Sequence, residues 1–361
     1  MAFKKNDQGV WVPTHLDQFE LGTAYSVGDW NVGPGGGRFI PSVREERALA
    51  GRLKAIREAG ATHVEFHSTE APPKSIKHIG KVLADTGLEV GMVTANLFKG
   101  RPEYANGNFG HPDPKVRHLA IEDTKQYIAF GVKVGAPVYV YWNGSNGLRV
   151  RQGVSYTDLI KWTVEGINTV LHWMWHTYRE KSLAFAIENK PNEPTMLGFP
   201  ATAGDVLQIC NMVDEPVRHL VGGNPELCHE LMYGDNFALT LARFHSMQKL
   251  FHVHLNGASG KPMFDEDLPF GSGDLMAAFE AVWQLSELDY RGLVGFDVQP
   301  RPTDTDEQYA ESVNQSIDNF DIFLETIHAL SDADRINLAT MQQESDNASI
   351  ERFFLSFLLE R

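Results

Sequence analysis

Cysteine is nearly absent from the chain, which carries only Cys210 and Cys228. They form no CxxC pair and no disulfide framework, so they read as free thiols in a reducing compartment. No apolar run approaches the roughly 20 residues that cross a bilayer. The opening residues, MAFKKNDQGVWVPTHLDQF, lack the apolar core of a signal peptide. A cytoplasmic protein with no membrane partner is therefore expected. Basic residues are also short: 32 Lys and Arg stand against 47 Asp and Glu, a formal net charge of −15. Broad binding to a phosphate backbone draws on Lys and Arg, so nucleic acid is not an expected partner. The chain has no low-complexity stretch or Pro/Ser-rich linker. The GPGGG run at 33–37 is a loop and not a GxGxxG dinucleotide fingerprint.

What is present is 361 residues, 42% hydrophobic and 22% charged. Such a profile fits a globular protein with a sizeable core and excludes disordered, collagen-like and coiled-coil chains. The excess of carboxylates has a plain reading, surface solubility, and a sharper one, retention of a hard divalent cation.

Short β-rich segments alternate with helical ones. Candidate strands are 19–26 (FELGTAYS), 62–68 (THVEFHS), 89–96 (EVGMVTAN), 137–143 (PVYVYWN), 183–190 (LAFAIENK), 219–226 (HLVGGNPE), 250–256 (LFHVHLN) and 293–299 (LVGFDVQ). The intervening helical patterns are 42–59, 74–85, 114–134, 155–180, 203–212, 235–248, 273–288 and 306–331, with Ser42 a plausible N-cap and Gly60 a stop for the first. Eight successive β-then-α units in one domain favour a (β/α)8 barrel over an open doubly wound sheet. Residues 1–330 are assigned to the barrel. Residues 331–361 are expected to be an extension of loop and one short helix, 349–359, packing on the barrel or on a neighbouring subunit.

In such a barrel the chemistry lies at the C-terminal ends of the strands. Those ends carry His67, Asn96, Trp142, Glu188 with Lys190, Glu226, His254 and Asp297. Any one of them alone reads as a cap or a structural side chain. Seven of eight strands ending this way would converge on one mouth. Glu188, Glu226, His254 and Asp297 crowd three carboxylates and an imidazole, which calls for a compensating cation. Oxygen and nitrogen ligands suit Mg, Mn or Co. His229 follows Glu226 within one helical turn, and Asp265 and Asp267 lie two apart in FDEDL. If that loop is extended, both carboxylates point one way. With Glu226 bridging, they make a second cation site, against the alternative of a solvated acidic turn. Two cations would hold both oxygens of a polyol. Lys190 shares a strand face with Glu188 and is either a neutralising ion pair or an electrophile for a carbonyl oxygen. His67 with Glu70 reads as a base oriented by a carboxylate. Trp142 and Phe98 read as an apolar wall for a sugar face.

IENKPNEP at 187–194 is similar to the xylose isomerase signature around its first metal ligand. GGNPELCHE, KLFHVHLNG, MFDEDLPFGSGDL, GFDVQPRPTD, TANLF and YVYWNG continue the resemblance in order over residues 15–325. The resemblance implies two divalent cations. Glu188, Glu226, His254 and Asp297 would hold the first, and Glu226, His229, Asp265 and Asp267 the second. It implies a ring-opening role for His67 with Glu70 as partner, contact of Lys190 with substrate O1, and a substrate wall of Phe98, Trp142 and the Asn96 segment. Phe39 would reach a neighbouring subunit's pocket in a dimer or tetramer. The chain departs from the family at three places: His254 stands for Asp, Gln299 for Lys, and FHSTE for FHDxD. The C-terminal arm also reads as shortened. The expected activity is aldose–ketose isomerisation of an opened sugar by a 1,2-hydride shift. The alternative is a one-metal ketose 3-epimerase with Glu188 and Asp297 as the acid–base pair. An apurinic endonuclease is disfavoured by charge, and a non-enzymatic sugar-binding barrel leaves the carboxylates without a task.

Overall fold

The computed structural model describes residues 2–34, 44–146, 153–194 and 198–359. Two short strands, β1 (Phe3–Lys5) and β2 (Trp11–Pro13), pair antiparallel near the N-terminus. Eight parallel strands follow: β3 (Tyr25–Gly28), β4 (His63–His67), β5 (Glu89–Thr94), β6 (Val138–Trp142), β7 (Ala184–Glu188), β8 (Val221–Gly223), β9 (His254–Leu255) and β10 (Val294–Phe296). They hydrogen-bond in the order β8-β7-β6-β5-β4-β3-β10-β9. Parallel bridges from Gly223 to Leu250 and from Glu226 to His254 join the two ends. The sheet is thus the expected (β/α)8 barrel, and closure removes the edges an open sheet would expose.

The outer helices are α1 (Leu49–Glu58), α2 (Ile76–Thr86), α3 (Pro114–Val134), α4 (Tyr156–Tyr178), α5 (Ala203–Met212), α6 (Leu227–Met232), α7 (Phe237–Ser246), α8 (Leu275–Glu287) and α9 (Glu311–His328). Two more follow, α10 (Asp332–Gln343) and α11 (Asn347–Leu359). Among the described residues, no helix is long and apolar enough to cross a membrane.

Local chemistry accounts for the best-defined boundaries. The Asp113 side chain accepts from Lys115 N at 2.9 Å, Pro114 opens α3, and Gly135 ends it at φ +80°. The near-continuous apolar runs of β6 and β7 suit strands covered on both faces. Their rings pack across the ladder, Tyr139 on Phe185 at 5.2 Å between centroids. The Gly-Gly pair in β8 answers a steric demand: a Cβ at Gly223 would overlap the Phe244 ring, and one at Gly222 the Phe251 ring.

Three expectations change. The first strand covers Tyr25–Gly28 and not 19–26, because Gly22 turns the chain at φ +84° before it. The segment after residue 331 is two helices and not a loop with one. A capping box between Ser331 and Asp334 starts α10 at once. In α11, Phe354 packs its ring on Phe279 and Trp283 of α8, at 5.5 and 5.6 Å. The first barrel helix begins at Leu49, and its expected cap Ser42 lies outside the described residues.

Candidate active site

The C-terminal ends of the strands surround a cavity of about 320 Å³, within the range of small-molecule pockets. Its walls include His67, Glu70, Phe98, Trp142, Glu188 and Lys190. His229, His254, Asp265, Asp267, Asp297 and Gln299 also line it, as do Thr94 and Lys99.

Each carboxylate has a local reason for its place. Glu188 is the last residue of β7, and Asn224 donates to its Oε2 at 2.6 Å. Glu226 sits at the N-cap position of α6, so His229 follows on the same side, with Nε2 3.1 Å from Glu226 Oε1. His254 opens β9 and places Nδ1 3.0 Å from Glu188 Oε2 and 3.8 Å from Glu226 Oε2. Trp30 donates its indole N–H to Asp297 Oδ1 at 2.6 Å. Asn256 donates to both Glu226 Oε1 at 2.8 Å and Asp267 Oδ1 at 3.1 Å.

The FDEDL loop is not extended as the spacing suggested. Asp267 has φ +45°, the left-handed region that Asp tolerates better than most residues. That turn still sends both carboxylates into the cavity, with Asp265 Oδ2 3.6 Å from His229 Nε2.

Ligand-type atoms lie within 4.8 Å of one another in three groups here: Glu188, Glu226 and His229; Glu226, His254 and Asp297; Glu226, Asp265 and Asp267. Glu226 belongs to all three. Its Oε2, with Asp265 Oδ1 and His229 Nδ1, is buried without a hydrogen-bond partner. Orphaned buried acceptors among clustered carboxylates are what a hard divalent cation satisfies, so the donor set fits one.

The electrostatics agree. Burial pushes the Glu226 carboxyl up to about 7, offset by His229 and His254 and reinforced by Glu188 and Asp297. Burial also holds Asp267 well above the carboxylate range, with Asp265 and Asp297 adding to it. Asp297 is raised by burial and by Glu188, against His254 and Trp30. For Glu188 burial acts upward, but His254, His229 and Lys190 outweigh it and keep it low. His229 is pushed up to about 9, because Glu226 and Asp265 outweigh its burial.

Lys190 is buried, donates to Asp265 and lies 5.3 Å from the Trp142 ring centroid. Burial alone would lower its ammonium, but Asp265, Asp267 and Glu226 hold it above its usual range. Trp142 and Phe98 meet edge to face at 4.5 Å and form the apolar wall.

Two expectations need correction. Glu70 lines the cavity but does not orient His67. The His67 Nδ1–H donates to Asn96 Oδ1 at 2.5 Å, and Asn96 in turn faces Thr69 and Glu70. The cause is register: His67 pairs with Thr94, so Asn96, two residues on, comes beside the imidazole. Asn96 is therefore buried behind His67 and is not part of the cavity wall. Phe39 lies outside the described residues.

Sequence reasoning missed Glu65 and Trp30. Glu65 is fully buried and accepts from His252 Nε2 and His254 Nε2, each at 2.9 Å. Burial would raise its carboxyl, but the two imidazoles outweigh it and hold it low. It lies two residues before His67 and so on the same strand face, the signal that would have found it. Trp30 stands edge-on to His67 at 4.3 Å. It was lost with the misplaced first strand.

The family profile described as "Xylose isomerase-like TIM barrel" matches residues 53–350. The chain belongs to that family. A xylose isomerase from Thermus thermophilus is 34% identical over 296 residues, covering 78% of this chain and 74% of the relative. One from Thermus caldophilus is 33% identical over the same coverage. Among solved structures, a D-tagatose 3-epimerase-like protein superposes with a TM-score of 0.64 at 17% identity, covering 84% of this chain and 98% of that one. D-psicose 3-epimerase from Clostridium cellulolyticum gives 0.62 at 13%, covering 83% and 99%. At such identities the structural likeness speaks for the xylose isomerase-like fold alone.

Proposed function

We propose that the chain is a metal-dependent sugar isomerase that interconverts an aldose and a ketose. The observation that carries this reading is Glu226, common to three groups of ligand-type atoms beside the cavity that Lys190 and His67 line. The xylose isomerase relatives support the same reaction class. Glu188, Glu226, His254 and Asp297 would hold one cation, and Glu226, His229, Asp265 and Asp267 a second. Mg, Mn or Co suits these oxygen and imidazole donors. Cations bound there would polarise substrate oxygens and stabilise alkoxide charge.

The protein's own groups carry the remaining tasks. His67, its Nδ1–H held by Asn96, keeps Nε2 free to move the proton at the ring oxygen as the sugar opens. Trp142 and Phe98 pack the C–H face of the open chain and exclude water from it. The Lys190 ammonium donates to the oxygen on C1 as negative charge builds there. Hydrogen then passes from C2 to C1 as hydride while the proton of the C2 hydroxyl leaves O2 and one is returned to O1, so the C2 hydroxyl becomes the carbonyl and the C1 carbonyl the hydroxyl.

A second reading, a one-metal ketose 3-epimerase, is favoured by one specific contact. Lys190 already neutralises Asp265, a member of the second set. Glu188 and Asp297 would then exchange protons on opposite faces of C3.

The deciding experiment incubates chelator-stripped protein with an aldose and ketose panel in D2O, with Mn, Co or Mg added. Interconversion of aldose and ketose with little deuterium at carbon, and two ions per chain, is the expected result. Epimerised ketose carrying deuterium at C3, with one ion per chain, would replace this reading by the second.

A further inference from the structure

Glu65 does not line the cavity but stands directly behind His254, which does. It belongs to β4, while His252 and His254 belong to β9 and the residues just before it. These strands are not neighbours, since β3 and β10 separate them. The three side chains therefore meet through the barrel interior. Glu65 and His252 are fully buried and His254 nearly so. Each Glu65 oxygen receives one imidazole nitrogen at 2.9 Å: Oε1 takes His252 Nε2 and Oε2 takes His254 Nε2. A carboxylate only accepts, so both nitrogens carry the hydrogen.

For His254 the consequence is directional. With Nε2–H committed to Glu65, Nδ1 is left facing the cavity, 3.0 Å from Glu188 Oε2, 3.1 Å from Asn224 Nδ2 and 3.8 Å from Glu226 Oε2. Nδ1 is thus the nitrogen left open toward Glu226 and Asp297, where a cation would take the place of the hydrogen it presents to Glu188.

Two backbone features serve the same placement. The β4–β5 ladder shifts register between Val64 and Glu65, leaving Gly91 unpaired where the partners step from Val90 to Met92. Such bulges re-aim the side chain beside them. Gly295 in β10 leaves room for the relay: a Cβ there would come within 2.7 Å of His254 Cδ2 and 3.0 Å of Glu65 Oε1.

We propose that Glu65 is a positioning residue that locks His254 as the Nε2–H tautomer and turns Nδ1 toward the cation site. It sets the affinity of that site without touching cation or substrate. Carboxylates behind metal-bound histidines elsewhere change metal affinity about 10- to 100-fold when replaced. The inference rests on the reading of the cavity as a metal site, and its test separates the two.

The test compares wild type and Glu65→Gln, both chelator-stripped, by calorimetric titration with MnCl2. Glutamine is nearly isosteric, but its amide NH2 must face one of the two imidazole N–H groups, forcing that ring to turn or change tautomer. The expected result is an ion count equal to wild type with one affinity weakened about 10- to 100-fold. An unchanged Kd in a folded variant overturns the role of Glu65. Loss of one whole equivalent, the rest unaltered, overturns it in favour of a cation held directly by Glu65, His252 and His254. Failure of wild type to bind Mn would instead remove the metal-site reading itself. A second measurement needs no Glu65 variant. In 15N-histidine spectra of Mg-loaded protein, the signals absent from His254→Asn should show protonation at Nε2. Protonation at Nδ1 there overturns the proposal.

Discussion

At the scale of single residues, Asn96 separates geometry from chemistry most cleanly. It is buried, lies behind His67 and accepts the imidazole Nδ1–H at 2.5 Å. Asn96→Ala would leave the ring without the acceptor that defines its tautomer. A positioned general base supplies about 10²- to 10⁴-fold. Disorienting it should cost part of that, on the order of 10- to 100-fold in kcat on a ring-closed sugar. Mn affinity should stay at the wild-type value, because Asn96 touches no residue of the cation groups. A parallel fall in metal affinity would show instead that the change spreads through β5.

The residue scale is also where sequence reading reached furthest and stopped most sharply. Strand ends that turn from apolar to polar were readable: Glu188 follows LAFAI and Asp297 follows LVGF directly, and Glu226 and His254 lie close to the apolar residues of their own segments. Partners were not. Which group orients His67 depends on the β4–β5 register, and that register contains a bulge no spacing rule announces. Glu65 went unread because it lies inside a strand, where attention fell on the end.

At the scale of elements, boundaries were legible where side chains mark them. The helices at 114–134 and 203–212 match α3 and α5, both of which open on capping side chains. The first strand was misplaced because a run such as FELGTAYS alternates acceptably, while the turn at Gly22 depends on a tertiary contact. A Cβ there would press on Leu324 of α9. Capping also makes a prediction at this scale. In α5, Thr202 Oγ1 accepts from Asp205 N at 3.2 Å and Asp205 Oδ2 accepts from Thr202 N at 3.0 Å. Thr202→Ala removes one half of the box and should destabilise the protein by about 1 kcal/mol, read as a lower denaturation midpoint. The helix follows the loop that carries Lys190, and beyond the box its first N–H, of Ala203, donates to Tyr233 Oη at 3.4 Å, which is no member of the cation groups. Metal affinity should therefore not change; a tenfold loss would mean that α5 sets the Lys190 position.

At the scale of the whole molecule, the net charge of −15 invites the guess that acid tolerance follows from neutralising carboxylates. A buried neutral histidine works in the opposite direction. The His15 Nε2–H donates to the Phe251 carbonyl at 2.8 Å, joining the N-terminal segment to the chain just before β9. Burial lowers its pKa from 6.5 to about 4, partly offset by that hydrogen bond. The folded state therefore resists the proton that the unfolded chain accepts. Above pH 6.5 both states hold His15 neutral and it exerts no pH effect. As pH falls from 6.5 toward 4, only the unfolded state gains the proton, so stability falls with acidification. The loss amounts to about 2 kcal/mol at pH 5 and approaches about 3 kcal/mol below pH 4. Denaturant titrations of chelator-stripped wild type and His15→Gln at pH 7, 6, 5 and 4.5 test this. Glutamine can keep a donor near the Phe251 carbonyl and does not titrate. Whatever its stability at pH 7, the variant should lose about 2 kcal/mol less than wild type across the interval to pH 5. Parallel profiles would assign the acid sensitivity of the barrel to its carboxylates and not to His15.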